Sequence, residues 1–291
     1  MKDLLTPKQV ARSIGVSEAS LKRWCDKGVV PSVRTAGGHR RIPIAGVVQF
    51  LRETGYPIVE PEVLGLPPAT GRGGETIERA RRHMRSALED GDEQRTARLV
   101  FDLYLAGHTA CDICDRVLAP AFHDIGARWQ HGEIEVYEER RGCEVCMRSL
   151  YQLRRVLPPV PASALRAIGA TPEGDPYAIP TLMAEIVLRE AGWRAESYGC
   201  GHPFSTLCAA VRTVRPQLFW LSVSTIGSVP EFLGGYAKLY DTAVECGVPV
   251  AVGGRALTEE IRRAMQYAAH GDTLRHLIAF ARTLKSRGPV Q

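Results

Sequence analysis

Cationic side chains crowd one short run of the chain, Arg34-Thr-Ala-Gly-Gly38-His39-Arg40-Arg41, where a Gly-Gly turn would bring guanidiniums and an imidazole to the tip of a hairpin. Guanidiniums at that density suit phosphate oxygens, which accept their forked N–H donors. Just upstream, Ser20, Lys22 and Arg23 share the polar side of a short helical pattern. Two Cys-x-x-Cys pairs, Cys111 with Cys114 and Cys143 with Cys146, form a second constellation. Their i,i+3 spacing puts each pair on one helical face, and two facing pairs could hold Zn²⁺ or an iron-sulfur cluster, or exchange disulfides. The plainer reading is small apolar core residues, and it is favoured because structural zinc pairs usually sit on knuckle-like turns. A third set lies in 169–180, 221–224 and 250–254, where short apolar strands hand over to loops before helical patterns. Such loops gather at one edge of a parallel sheet, the edge where ligands bind. No phosphate-cradling Gly-x-Gly-x-x-Gly, serine-nucleophile motif or metal-protease helix is present, so catalysis has no support.

The elements that must position these residues fall into four stretches. Over 1–56, Thr6-Pro7 opens a helix that stops at Gly15, and Ser17 opens a second that runs to Lys27, a helix-turn-helix pattern. Two short strands around Gly37-Gly38 and a closing helix over 43–54 follow. This stretch carries ten Lys or Arg against four Asp or Glu, a balance that suits a polyanion. Residues 57–74 hold Pro57, Pro61, Pro67, Pro68 and several glycines without sustained periodicity, and read as an extended linker that lets the head reorient. Residues 75–157 read as four helices with short polar connections, hence a four-helix bundle. From 163 to 288, strands expected at 165–170, 194–198, 218–224 and 248–252 alternate with helices, which argues a doubly wound parallel α/β domain.

The first stretch resembles the MerR-type and excisionase-type winged helix-turn-helix, with Arg-Thr-x-Gly-Gly-His-Arg-Arg as the specific match. The resemblance implies double-stranded operator DNA as partner, Ser20, Lys22 and Arg23 on the helix that enters the major groove, and Arg34, His39, Arg40 and Arg41 gripping the backbone. The remainder resembles CarH-like light-responsive repressors and corrinoid proteins. Trp129 and Glu139 match the Trp-x(9)-Glu-His signature of the bundle that caps the corrin, with Arg140 where that family has histidine. Asp175 matches the Asp-x-His-x-x-Gly loop, with Tyr177 at the histidine and Pro180 at the glycine. Ser222 and Ser224 match the serine run of the third strand, and Gly253-Gly254 the fourth loop. The resemblance implies adenosylcobalamin as cofactor and a light-controlled homo-oligomer, dimer or tetramer. Tyr177 replaces the imidazole that would ligate cobalt, so binding through that ligand is not expected. Three occupants stay open: cobalamin without a protein lower ligand; a haem or bilin, with Tyr177, His123, His131 or His202 as ligands; or none, the domain serving assembly or a protein partner. A corrinoid methyl carrier shares bundle and sheet, but would need the histidine and has no use for a DNA-binding head.

A chain of 291 residues, 45% hydrophobic and 24% charged with a formal net charge of +5, is ordinary for two or three globular domains. No apolar run nears the ~20 residues that span a bilayer, and Met-Lys-Asp-Leu-Leu opens no signal peptide. The expected setting is cytoplasmic, without a membrane partner.

Overall fold

The computed structural model describes residues 4–71 and 76–286. Residues 72–75 of the expected linker and bundle start, and 287–288 at the expected end of the α/β domain, lie outside them. Contacts divide the chain into two units, the first ending at Pro159 and the second beginning at Val160.

The first unit begins with β1 (Leu4–Leu5), α1 (Pro7–Ile14), α2 (Glu18–Asp26), β2 (Val33–Arg34), β3 (Arg40–Pro43) and α3 (Ile44–Thr54). Thr6 accepts from the Gln9 amide while the Gln9 side chain returns to the Thr6 amide, so both groups of the capping box are satisfied. Ser17 caps α2 in the same sense. Val10, Ile14, Leu21, Ile42, Val47, Val48 and Leu51 are fully buried and join helices and hairpin into one core. β1, which the sequence reading left unassigned, pairs antiparallel with β3 through Leu5 and Ile42.

The stretch expected to be an extended linker packs over its described part. Its apolar residues are too irregularly spaced to show a period, yet Ile58, Leu64 and Leu66 are buried around a 3₁₀ turn at Pro61–Leu64. The Val59 and Glu60 amides donate to the Ser13 carbonyl at 2.8 and 3.1 Å, and Arg12 pairs with Glu60 at 2.5 Å. The Gly71 amide ends on the Asp102 carboxylate at 2.7 Å.

The bundle follows as α4 (Ile77–Asp90), α5 (Glu93–Leu105), α6 (Ala110–Ile113), α7 (Ala119–Gln130) and α8 (Val136–Val156). The expected third helix is interrupted by a π turn at Cys114–Leu118. Pro120 has no N–H for the carbonyl one turn back, and widening the turn accommodates its ring. Gly142 lets α8 lie close on α4, since a Cβ there would stand 3.1 Å from the Leu88 carbonyl oxygen. Arg52 of α3 ties head to bundle: its guanidinium lies 3.7 Å over the Tyr104 ring and donates to the carbonyls of Tyr104 and, at 3.0 Å, His108. A cation-π contact and hydrogen bonds from a charged donor sum to about 2–4 kcal/mol. Arg52→Ala should therefore loosen head from bundle, seen as faster proteolysis within residues 57–71, whereas a cleavage rate equal to that of the unaltered chain would mean the clamp is idle.

The second unit alternates β4 (Arg166–Ala170), α9 (Ala178–Glu190), β5 (Arg194–Ser197), α10 (Phe204–Val214), β6 (Leu218–Ser222), α11 (Val229–Glu245), β7 (Val250–Gly253), α12 (Glu259–Arg263), β8 (Ala269–Gly271) and α13 (Leu274–Ser286). All strands run parallel in the order β5-β4-β6-β7-β8, so the winding reverses between β4 and β6. β8 was not anticipated, because Ala-His-Gly carries no strand-forming side chain. The strand expected over 218–224 ends at Ser222: Val223 still donates to Gly253, but the Ser224 amide turns away to a carboxylate. One sheet face packs Ile168, Phe219 and Leu221 against α10 and α11. On the other face the Trp220 indole donates to Thr181 of α9 at 3.0 Å.

Candidate nucleic-acid interface and ligand edge

α2 and the β2–β3 hairpin form the cationic surface. Lys22 and Arg23 are exposed on α2, Lys22 pairing with Glu18 at 2.8 Å and Arg23 donating to Ser20 at 3.3 Å. Such exposed partners exchange readily for phosphate. Gly38, at φ +74, closes the turn that brings Arg34 and His39 to the wing tip, both exposed. Arg34 donates to the Gly38 carbonyl at 3.3 Å. Arg41 is half-buried and donates to the Arg40 carbonyl at 3.1 Å. Arg40, also expected to grip the backbone, has a side chain only 15% exposed that turns inward to α2. A groove of about 390 Å³ between helix and wing is lined by Lys22, Asp26, Arg34, His39, Arg40 and Arg41 among others.

In the α/β unit the loops after β4, β6 and β7 do meet at the carboxyl edge, at the switch between β4 and β6. Asp175 is completely buried, accepting from the Tyr177 amide at 3.1 Å on one oxygen and from the Ser224 amide at 2.5 Å on the other. Burial pushes its pKa above the ordinary carboxylate value, against the lowering effect of the amides of Ser224, Tyr177 and Thr225 and of Arg255. Tyr177 is half-buried at the start of α9, beneath the Arg255 guanidinium 5.5 Å from its ring. Arg255 also donates to the Ser224 carbonyl at 3.1 Å, so it closes the edge over Tyr177. The sequence reading missed this residue, although a cation directly after the Gly-Gly pair was a visible signal. Thr171 was missed as well: it donates to the Asp175 carbonyl at 2.9 Å and accepts from Gly201 at 3.0 Å, joining two loops. Ser222 is buried and Ser224 partly so. At Gly254, φ +117, a Cβ would stand 2.2 Å from the Val223 carbonyl oxygen, and one at Gly253 would stand 2.8 Å from that of Gly271. The chain's own backbone requires both glycines.

In the bundle, Trp129 is 45% exposed at the end of α7, so it is not a core residue. Glu139, in the first turn of α8, pairs with Arg140 at 3.4 Å and accepts from the Cys143 thiol at 3.6 Å. Cys114 and Cys146 are fully buried. Burial pushes the Cys143 thiol up to about 12 and that of Cys146 up as well, which leaves both poor thiolates. Among the described residues no group of three or more His, Cys, Asp or Glu is placed to hold a metal ion. Cys111 donates to Asp115 at 3.6 Å within its own helical turn. Among the described residues no helix is long and apolar enough to cross a membrane.

Known families match the head and the bundle of the first unit. Residues 4–55 match the family described as a helix-turn-helix domain, and residues 80–154 the family described as a B12 binding domain. The HTH-type transcriptional repressor CarH of Myxococcus xanthus is 27% identical over 278 residues, 89% of this chain and 92% of that protein. Among solved structures, the monomethylamine corrinoid protein of Methanosarcina barkeri aligns at a TM-score of 0.57 and 15% identity, covering 72% of this chain and 100% of that one. At that identity the likeness is one of fold.

Proposed function

From the premise that this chain is a CarH-like regulator, a helix-turn-helix head followed by a B12-binding-type module, we propose that it binds operator DNA as a symmetric oligomer and that its α/β module controls that assembly. The observation that carries this reading is the pairing of a capped, polar-faced α2 with a hairpin whose exposed tip presents Arg34 and His39. One short reading helix per chain gives little specificity, so a dimer or tetramer on paired half-sites follows. The site is regulatory and not catalytic, and it works where the DNA is, in the cytoplasm. The head spans 1–56, the bundle 75–157 and the control module 163–288.

The residues at the α/β edge do not fit a cobalamin ligated through an imidazole of the first loop. Position 177 is a phenol under Arg255, Asp175 spends both oxygens on backbone amides, and the glycine pair is filled by its own chain. An edge ligand held without that bond remains compatible, cobalamin included. Labelling the protein with ¹⁵N should leave the Co(II) EPR splitting of any bound, reduced cobalamin unchanged, and an altered splitting would show a protein nitrogen on cobalt.

The DNA reading is tested by the salt dependence of duplex binding. Each phosphate contact contributes about 0.9 to the slope of log affinity against log salt. Arg34→Ala should weaken binding to every duplex and flatten the slope by about that amount. Equal affinity and slope in the variant would remove Arg34 from the interface.

A further inference from the structure

Arg40 sits in the same cationic run as Arg34 and Arg41, yet its surroundings are unlike theirs. Its side chain leaves the wing and reaches α2, donating from Nη1 to the Lys22 carbonyl at 2.8 Å and from Nη2 to the Asp26 carboxylate. Only 15% of that side chain is exposed. The Lys22 carbonyl lies mid-helix and Asp26 is the last residue of α2, so the planar fork spans a full helical turn. Across the hairpin Arg40 stands directly opposite Arg34, a like-charged pair that disfavours the hairpin unless one member is neutralised. Asp26 is itself out of place: it lines the cationic groove, where a carboxylate repels a polyanion.

We infer that Arg40 and Asp26 are positioning residues, a strut that sets the wing at a fixed angle to the recognition helix, and that Arg40 does not contact phosphate. The strut explains both oddities at once. The carboxylate holds a guanidinium that would otherwise repel Arg34, and the guanidinium offsets the charge of a carboxylate that is itself 62% exposed and would otherwise repel DNA. This inference rests on the DNA-binding reading.

The test uses the full chain and, as probe, the tightest duplex recovered from sheared genomic DNA, with affinities measured from low to high salt. A strut and a phosphate contact give opposite signs for Asp26→Asn. Removing an unengaged carboxylate from a DNA-facing groove tightens binding, whereas removing half of a strut weakens it, here by roughly fivefold to tenfold. Arg40→Lys keeps the charge but loses the fork, so it should weaken binding nearly as much as Arg40→Ala, and both should keep the salt slope of the unaltered chain. The double variant should bind no worse than Arg40→Ala alone. Tighter binding by Asp26→Asn, or full affinity in Arg40→Lys with the slope lowered in Arg40→Ala, would overturn the strut. Asp26→Asn leaves the apolar core of the head untouched, so its sign stands even if an Arg40 variant folds poorly. Failure of the unaltered chain to bind any duplex would instead overturn the DNA reading and the strut with it.

Discussion

Trp220→Ala should destabilise the α/β unit by about 3–5 kcal/mol, the usual cost of emptying a buried indole site. The residue is 2% exposed in the central strand β6, and its indole N–H is satisfied by Thr181, whose hydroxyl in turn meets that of Ser197 at 3.1 Å. Its partner across the strand pair is Gly169, and the ring lies so close that a Cβ at 169 would stand 2.1 Å from it. Gly169→Ala alone should therefore overpack the same face, while Gly169→Ala with Trp220→Leu should cost less than the sum of the two single changes. A chain of two units need not unfold in one step, so hydrogen exchange in β4 and β6 is the appropriate readout. Strict additivity would mean that indole and glycine do not share the space.

Asp175→Ala should also destabilise the α/β unit, by about 2 kcal/mol or more, because it strands part-buried backbone amides at Tyr177 and Ser224, each costing at least about 1 kcal/mol. Asp175→Asn should be milder, since its amide oxygen can still accept one of the two N–H groups. The same carboxyl gives stability a pH dependence of definite sign. Its folded pKa is raised by burial, so the folded chain holds the proton to higher pH than the unfolded chain does. The contribution is complete below the unfolded carboxylate value and declines as pH rises through the folded one. Following the Asp175 carboxyl by NMR should give a midpoint above the ordinary value of 3.8. A midpoint below it would mean that the amide donors outweigh burial and that the sign is reversed.

Much of this architecture was legible in the chain. Alternation of apolar strand runs with helical patterns gave β4 to β7 and their helices, and caps and glycines bounded α1 and α2. What escaped depends on partners distant in sequence. Ile58, Leu64 and Leu66 are too irregularly spaced to announce burial, and the carbonyl that holds 59–60 belongs to Ser13. Periodicity marks Trp220 as apolar, but only sheet register sets it on Gly169. The wing motif brings Arg34, His39, Arg40 and Arg41 together as cations, while the inward turn of Arg40 follows from a carboxylate in the preceding helix. At the α/β edge the motif positions do converge, as Asp175 and Ser224 show, but the bonds made there are to the chain itself.

The most direct test of the regulator reading is selection of sheared genomic DNA by the full-length chain, followed by sequencing of the bound fragments and a salt titration on the best of them. A chain that reads operator DNA as a symmetric oligomer should enrich a duplex with two half-sites related by twofold symmetry about one helical turn apart, bound with a steep salt slope that Arg34→Ala flattens. Fragments recovered without sequence preference, or a slope indifferent to Arg34, would contradict it.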